Sequence, residues 1–166
     1  MSNFESVTAI DEQMLNDLLS TERFEWINSY DVKVKMFFKC GKYDKEGNLK
    51  TPALVKNGIS IPSQTKIVSP FNRITDNVDV KIVLNKEYWD DLDKTEKEAV
   101  LANALFYLEV KEDKMGEPLT ISDECDKVQL KFKKPDFYCE GFLELINEYK
   151  RKYIPWQESE RITNNI

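Results

Sequence analysis

Residues 99 to 110, AVLANALFYLEV, hold only two polar positions, Asn103 and Glu109. A run this apolar must be enclosed by other structure on nearly every side. The segment before it, DKTEKE, supplies a start signal: Asp93 can accept from the free amides of a first helical turn, and Glu96 three residues on completes a capping-box pair. The spacing predicts a continuous helix over 94–110, with Asn103 and Tyr107 one turn apart on the same face. The rest of the fold is expected to be built around this helix.

With 166 residues, 41% apolar and including three Trp, seven Tyr and nine Phe, the chain can bury one core but hardly two. The expectation is one α+β domain over 1–154 and a loose tail over 155–166, where little beyond Trp156 is available to bury. Acidic residues number 30 against 24 basic, a net charge of −6, and the signs are interspersed. Such a surface suits neither nucleic acid nor an anionic membrane, so neither is expected as a direct partner. Cys40, Cys125 and Cys139 form no CxxC pair and no disulfide framework, which points to a reducing compartment. No apolar stretch reaches membrane length, and MSNFESVTAIDEQ has neither a basic leader nor an apolar signal core.

Histidine is absent from all 166 residues. That removes imidazole-based triads, two-His-one-carboxylate iron sites and His-ligated zinc. Carboxylate chemistry with magnesium, a thiolate or lysine nucleophile, or no chemistry at all remain open.

Along the chain, Ile10, Met14, Leu15, Leu18 and Leu19 have helical spacing, and the helix is expected to run on through Arg23 to Trp26. Tyr30 to Lys39 alternates and reads as a strand. GKYDKEGN at 41–48 is a turn, with a hairpin partner expected at Ala53 to Val55. Residues 57–77 read as a short strand near Ile59 and then an irregular crossover. Val78 to Leu84, VDVKIVL, is the clearest strand, leading into a short helical turn and the central helix. After the KEDKMGEP loop, a strand is expected at Val128 to Lys133, and a closing helix at Phe137 to Tyr149.

The order of strand, NKEYWDDLDKTEKEAVL, apolar helix, EVKED, strand and KKPDF resembles the metallopeptidases encoded in bacteriophage genomes, relatives of the SprT-like zincins. The specific part of the resemblance is 78–136. Trp89, Leu92, Glu98, Ala99, Leu101 and Leu105 match the family's own residue types. In the family, Asp-His-Glu-Leu-x-His follows and a later Lys-His-Asp adds another histidine. Here the first zinc histidine falls on Asn103, the general-base glutamate on Ala104, the second histidine on Tyr107 and the downstream histidine on Pro135, with Asp136 retained. Alanine cannot activate water and proline offers no ligand atom. The resemblance therefore implies a degenerate member lacking the HExxH residues, in which Asn103, Ala104, Tyr107, Pro135 and Asp136 line a vestigial pocket with no catalytic residue, metal or cofactor.

Simpler readings stand beside this one. Asn103 is a satisfied core amide before it is a ligand, because an unpaired buried amide costs roughly 1–3 kcal/mol. Tyr107 is a core aromatic with its hydroxyl at an edge. Asp90, Asp91, Asp93, Glu96 and Glu98 could hold magnesium, but capping and a wet helix face account for them. Cys139 has no identifiable base and reads as a buried thiol.

The expected architecture is an antiparallel or mixed sheet of about four strands with three helices. The expected function is non-enzymatic: a pseudo-metallopeptidase in the host cytoplasm that binds a host or phage protein and inhibits or redirects it. A divalent-metal enzyme acting on nucleotides and a phage assembly component are the alternatives. The sequence does not indicate an oligomeric state.

Overall fold

A computed structural model describes residues 3–56, 58–122 and 125–134. The chain divides into two compact units, Met1–Leu92 and Asp93–Ile166.

The first unit is built on strand pairing. In chain order it contains β1 (Phe4–Ser6), α1 (Ala9–Leu19), α2 (Glu25–Ser29), β2 (Val34–Lys39), β3 (Lys42–Tyr43), β4 (Leu49–Thr51), β5 (Val55–Lys56) and β6 (Ile59–Ser60). There follow β7 (Ser63–Ile67), α3 (Pro70–Asp76), β8 (Val80–Asn85) and α4 (Lys86–Asp91). A mixed sheet of four strands has the order β1-β2-β8-β7, with β2 and β8 parallel and both outer pairs antiparallel. This is the α+β architecture and the mixed four-stranded sheet that the sequence predicts. Val80, Ile82 and Leu84 of β8 are wholly buried. The parallel register sets Met36 beside Ile82 and Phe38 beside Leu84, so one apolar face is continuous across both central strands.

Polar groups pin the helices to this sheet. Thr8 and Asp11 form a capping box at the start of α1. The other oxygen of the Asp11 carboxylate accepts from the indole Nε1 of Trp89 at 3.0 Å, a buried bond spanning 78 residues. The Trp89 ring lies 6.1 Å from that of Phe38. The tryptophan that carries part of the family resemblance is thus an anchor between α1, α4 and β2. Asp79, fully buried, accepts from Arg73 Nε and from the Lys33 amide, each at 2.7 Å. That pair ties α3 to the entrances of β2 and β8.

Several expected boundaries are corrected. The helix expected to run from 11 to 26 is two helices. The Ser20 and Thr21 hydroxyls take the Asn16 and Leu18 carbonyls, and the chain turns before Glu25. The hairpin after β3 returns at Leu49–Thr51, not Ala53 to Val55. Asp44 accepts from the Glu46 and Asn48 amides, which closes the turn early, and these bonds hold its carboxyl below the usual range. The short strand expected near Ile59 is present as β6, but the stretch after it is no irregular crossover. β5 and β6 form a hairpin, β7 pairs with β8 over five residues, and α3 is capped by Ser69 with Pro70 in its first turn.

The second unit opens on α5 (Lys94–Phe106), whose Asp93–Glu96 capping box is present, with both bonds at 2.9 Å. Then come β9 (Leu108–Val110), β10 (Thr120–Ser122), β11 (Cys125–Val128) and β12 (Leu130–Phe132). The expectation of a helix through Val110 is corrected: α5 ends at Phe106 and Tyr107 is its C-cap. Leu108–Val110 pairs with Leu130–Phe132, the Lys133 amide donates to the Tyr107 carbonyl at 2.7 Å, and Lys131 meets Glu109 at 3.3 Å. The strand expected at 128–133 is split, its first part pairing with β10 and its second with β9. The expected closing helix at 137–149 and the tail at 155–166 lie outside the described residues.

Candidate functional site

The side chains of α5 define the candidate site. Ala99, Val100, Leu101, Ala102, Ala104, Leu105 and Phe106 are all buried, as is Leu108 just beyond the helix. Between Ala99 and Leu108 the only positions that keep partial exposure are Asn103 and Tyr107. They are four residues apart, and Tyr107 keeps right-handed helical dihedrals, φ −67° and ψ −13°. Their side chains therefore emerge on one face, one above the other. Ala104 beside them is 1% exposed. Asn103 is thus half-buried, not the enclosed amide expected from the apolar run. Pro135, Asp136 and Cys139 lie outside the described residues, so the structure brings together Asn103, Ala104 and Tyr107 of the expected pocket.

These three residues do not fit a zinc ion. Zinc takes imidazole nitrogen, thiolate sulfur or carboxylate oxygen in tetrahedral geometry, and the helix offers an amide, a methyl and a phenol. Among the described residues, no three His, Cys, Asp or Glu side chains converge as a metal-holding group. Most of the acidic residues between 90 and 98 are occupied locally. Asp93 and Glu96 cap α5, Asp90 pairs with Lys86, and Glu98 lies 3.8 Å from Lys94. The Asp91 carboxylate makes no hydrogen bond or ion pair among the described residues.

Cys40 is an unreactive thiol by its surroundings. Burial foremost, then a hydrogen bond and negative charge from Glu5 and the charge of Glu87, push it up to about 11, with Lys86 opposing only in part. Only the thiolate attacks, so iodoacetamide at pH 8 should modify Cys40 on the order of a hundredfold more slowly than an ordinary thiol. Peptide mapping should show the rate still rising as the pH approaches about 11. A rate that levels off near pH 8.5 would contradict the assignment.

The sequence reading did not find a concavity that lies in the first unit. It is an open cleft of about 230 Å³ lined by Leu49, Pro52, Ser60, Asn85, Glu87, Tyr88, Asp91 and Leu92. The signal present in the sequence was the spacing of Glu87, Tyr88, Asp91 and Leu92, which share a helix face. Its far wall comes from hairpins whose positions are set by non-local pairing.

A mixed sheet of this order with a capped, enclosed helix following its central strand defines an α+β protein of the kind the resemblance implies. The family model described as "Putative phage metallopeptidase" matches residues 5–164. The chain belongs to that family. Searches of curated proteins and of solved structures gave no match. Among the described residues no helix is long and apolar enough to cross a membrane.

Proposed function

We propose that this family member works without catalysis, as a pseudo-metallopeptidase that holds a polypeptide in place of cutting it. By this reading it acts in the host cytoplasm, where it binds a host protein and inhibits or redirects it. One observation carries the reading: the only two positions of the Ala99–Leu108 segment that keep partial exposure are those where the family resemblance puts the zinc histidines, and here they are Asn103 and Tyr107. An amide and a phenol one turn apart are good hydrogen-bonding and stacking groups for a peptide and poor metal ligands. Ala104, where the resemblance puts the general base, has no atom that can take a proton.

Two measurements test this. Elemental analysis of the purified protein should find no stoichiometric zinc; about one zinc per chain would overturn the proposal and require a ligand set built from thiols and carboxylates. In the second, tagged protein is used to capture partners from a lysate of the host, read by mass spectrometry. The captured protein should remain intact, and Tyr107→Ala should weaken its capture about tenfold, the scale of an aromatic interface anchor. Cleavage of the captured protein would identify a peptidase.

A further inference from the structure

We infer that the cleft of the first unit is a receptor for one lysine or arginine side chain of a partner polypeptide. Its eight lining residues include two carboxylates, Glu87 and Asp91, and no basic group. The two carboxylates are four residues apart on α4, a like-charged arrangement that destabilises a helix unless a cation lies between them. Lys86, the basic residue next to Glu87 in the chain, does not serve, because it pairs with Asp90.

Each polar group of the cleft has a defined role. Asn85 is committed: its Nδ2 donates to Ser60 Oγ at 3.1 Å and to the Ile61 carbonyl at 3.0 Å, and its Oδ1 accepts from the Tyr88 amide at 3.4 Å. Glu87 Oε1 accepts from the Gly41 amide and from the Tyr43 hydroxyl. That close approach needs glycine, because a Cβ on Gly41 would lie 2.8 Å from the Thr51 carbonyl oxygen, which cannot swing away, and 2.8 Å from Glu87 Oε1. Glu87 Oε2 is shielded from solvent and has no hydrogen-bond partner among the described residues. Glu87 lines the cleft, so its charge adds to the negative field there, where screening is weak. Asp91 is exposed and unpaired among the described residues, and it is the carboxylate that a ligand can touch.

The remaining lining, Leu49, Pro52, Tyr88 and Leu92, is chiefly apolar. An open cleft with a chiefly apolar lining and a carboxylate on its edge matches the aliphatic stem and charged head of lysine or arginine. The volume of about 230 Å³ lies below the usual range for drug-sized ligands and suits a single side chain. Tyr43, which touches Glu87, Leu49 of the lining and Val55, which pairs with Ser60, are each about half exposed. A free amine would leave these apolar groups wet, whereas a polypeptide would cover them. The cleft belongs to the first unit, and this inference stands or falls separately from the reading of α5.

The full chain, labelled with nitrogen-15, is titrated with capped tripeptides Gly-Arg-Gly and Gly-Lys-Gly, with the norleucine analogue and with spermidine. The basic peptides should shift the amides of Leu49, Ser60, Tyr88, Asp91 and Leu92, and the norleucine peptide should leave them in place. Asp91→Asn sits at an exposed position, so the rest of the spectrum should not change, and it should weaken the basic peptides about tenfold, the value of a hydrogen bond to a charged group. No shift at the cleft, equal shifts with norleucine, spermidine binding as tightly as the peptides, or full affinity in Asp91→Asn would each overturn the inference.

Discussion

Ala104→Glu should destabilise the protein by about 3–5 kcal/mol at neutral pH, the cost of a buried charge without a partner. Ala104 is 1% exposed and is flanked by buried Leu101, Leu105 and Leu108, so the introduced carboxyl has no route to water that keeps the helix packed. The sign of the pH dependence follows. Burial raises the folded-state pKa of the new group above its unfolded value of about 4.3, so the penalty is absent below that pH. It grows as the pH rises and levels off above the folded-state value. Urea denaturation at pH 7 and pH 4 measures both. An unchanged midpoint at pH 7 would mean that the position has room and solvation for a carboxylate. The converse variant combines Asn103→His, Ala104→Glu, Tyr107→His and Pro135→His. If the chain keeps the ancestral geometry, it should regain about one zinc per chain, as tetrahedral sites with three protein ligands do.

Asp79→Ala should cost a comparable amount, about 3–5 kcal/mol, for a different reason. Asp79 and Arg73 are both almost wholly buried, and removing the carboxylate leaves a guanidinium uncompensated in the interior and the Lys33 amide without this acceptor. Arg73→Met with Asp79→Leu should recover part of the loss, since two apolar groups leave no orphan charge. Recovery should be incomplete, because the Lys33 amide still lacks its side-chain acceptor. Chemical denaturation of Arg73→Met, Asp79→Leu and the double variant separates these contributions. A double variant no more stable than either single one would show that the pair acts through backbone positioning of β2 and β8.

Interactions within a few residues were readable from the sequence. The Asp93–Glu96 capping box was legible because both partners lie in one turn, and the structure has both bonds. The central strand was legible because VDVKIVL alternates and is flanked by polar residues, and β8, Val80–Asn85, takes in its last five residues. That the chain cannot form His-Glu-x-x-His needed only residue identities, since it has no histidine.

Distant pairing decided the remainder. Nothing in FYLEV marks the end of α5, because Leu108–Val110 continues the apolar pattern. It becomes a strand only because Leu130–Phe132 pairs with it across 20 residues. β7 reads SQTKI, too polar to signal a strand, and is held by backbone hydrogen bonds to buried β8. The half-exposure of Asn103 and Tyr107, and the cleft beside Asp91, exist only once other segments have covered their neighbours. Local sequence determines where a segment can begin and which chemistry it can carry, because caps and side-chain identities act over a few residues. Which apolar positions stay open to a partner is set by what the folded chain leaves uncovered, and that is a property of tertiary packing.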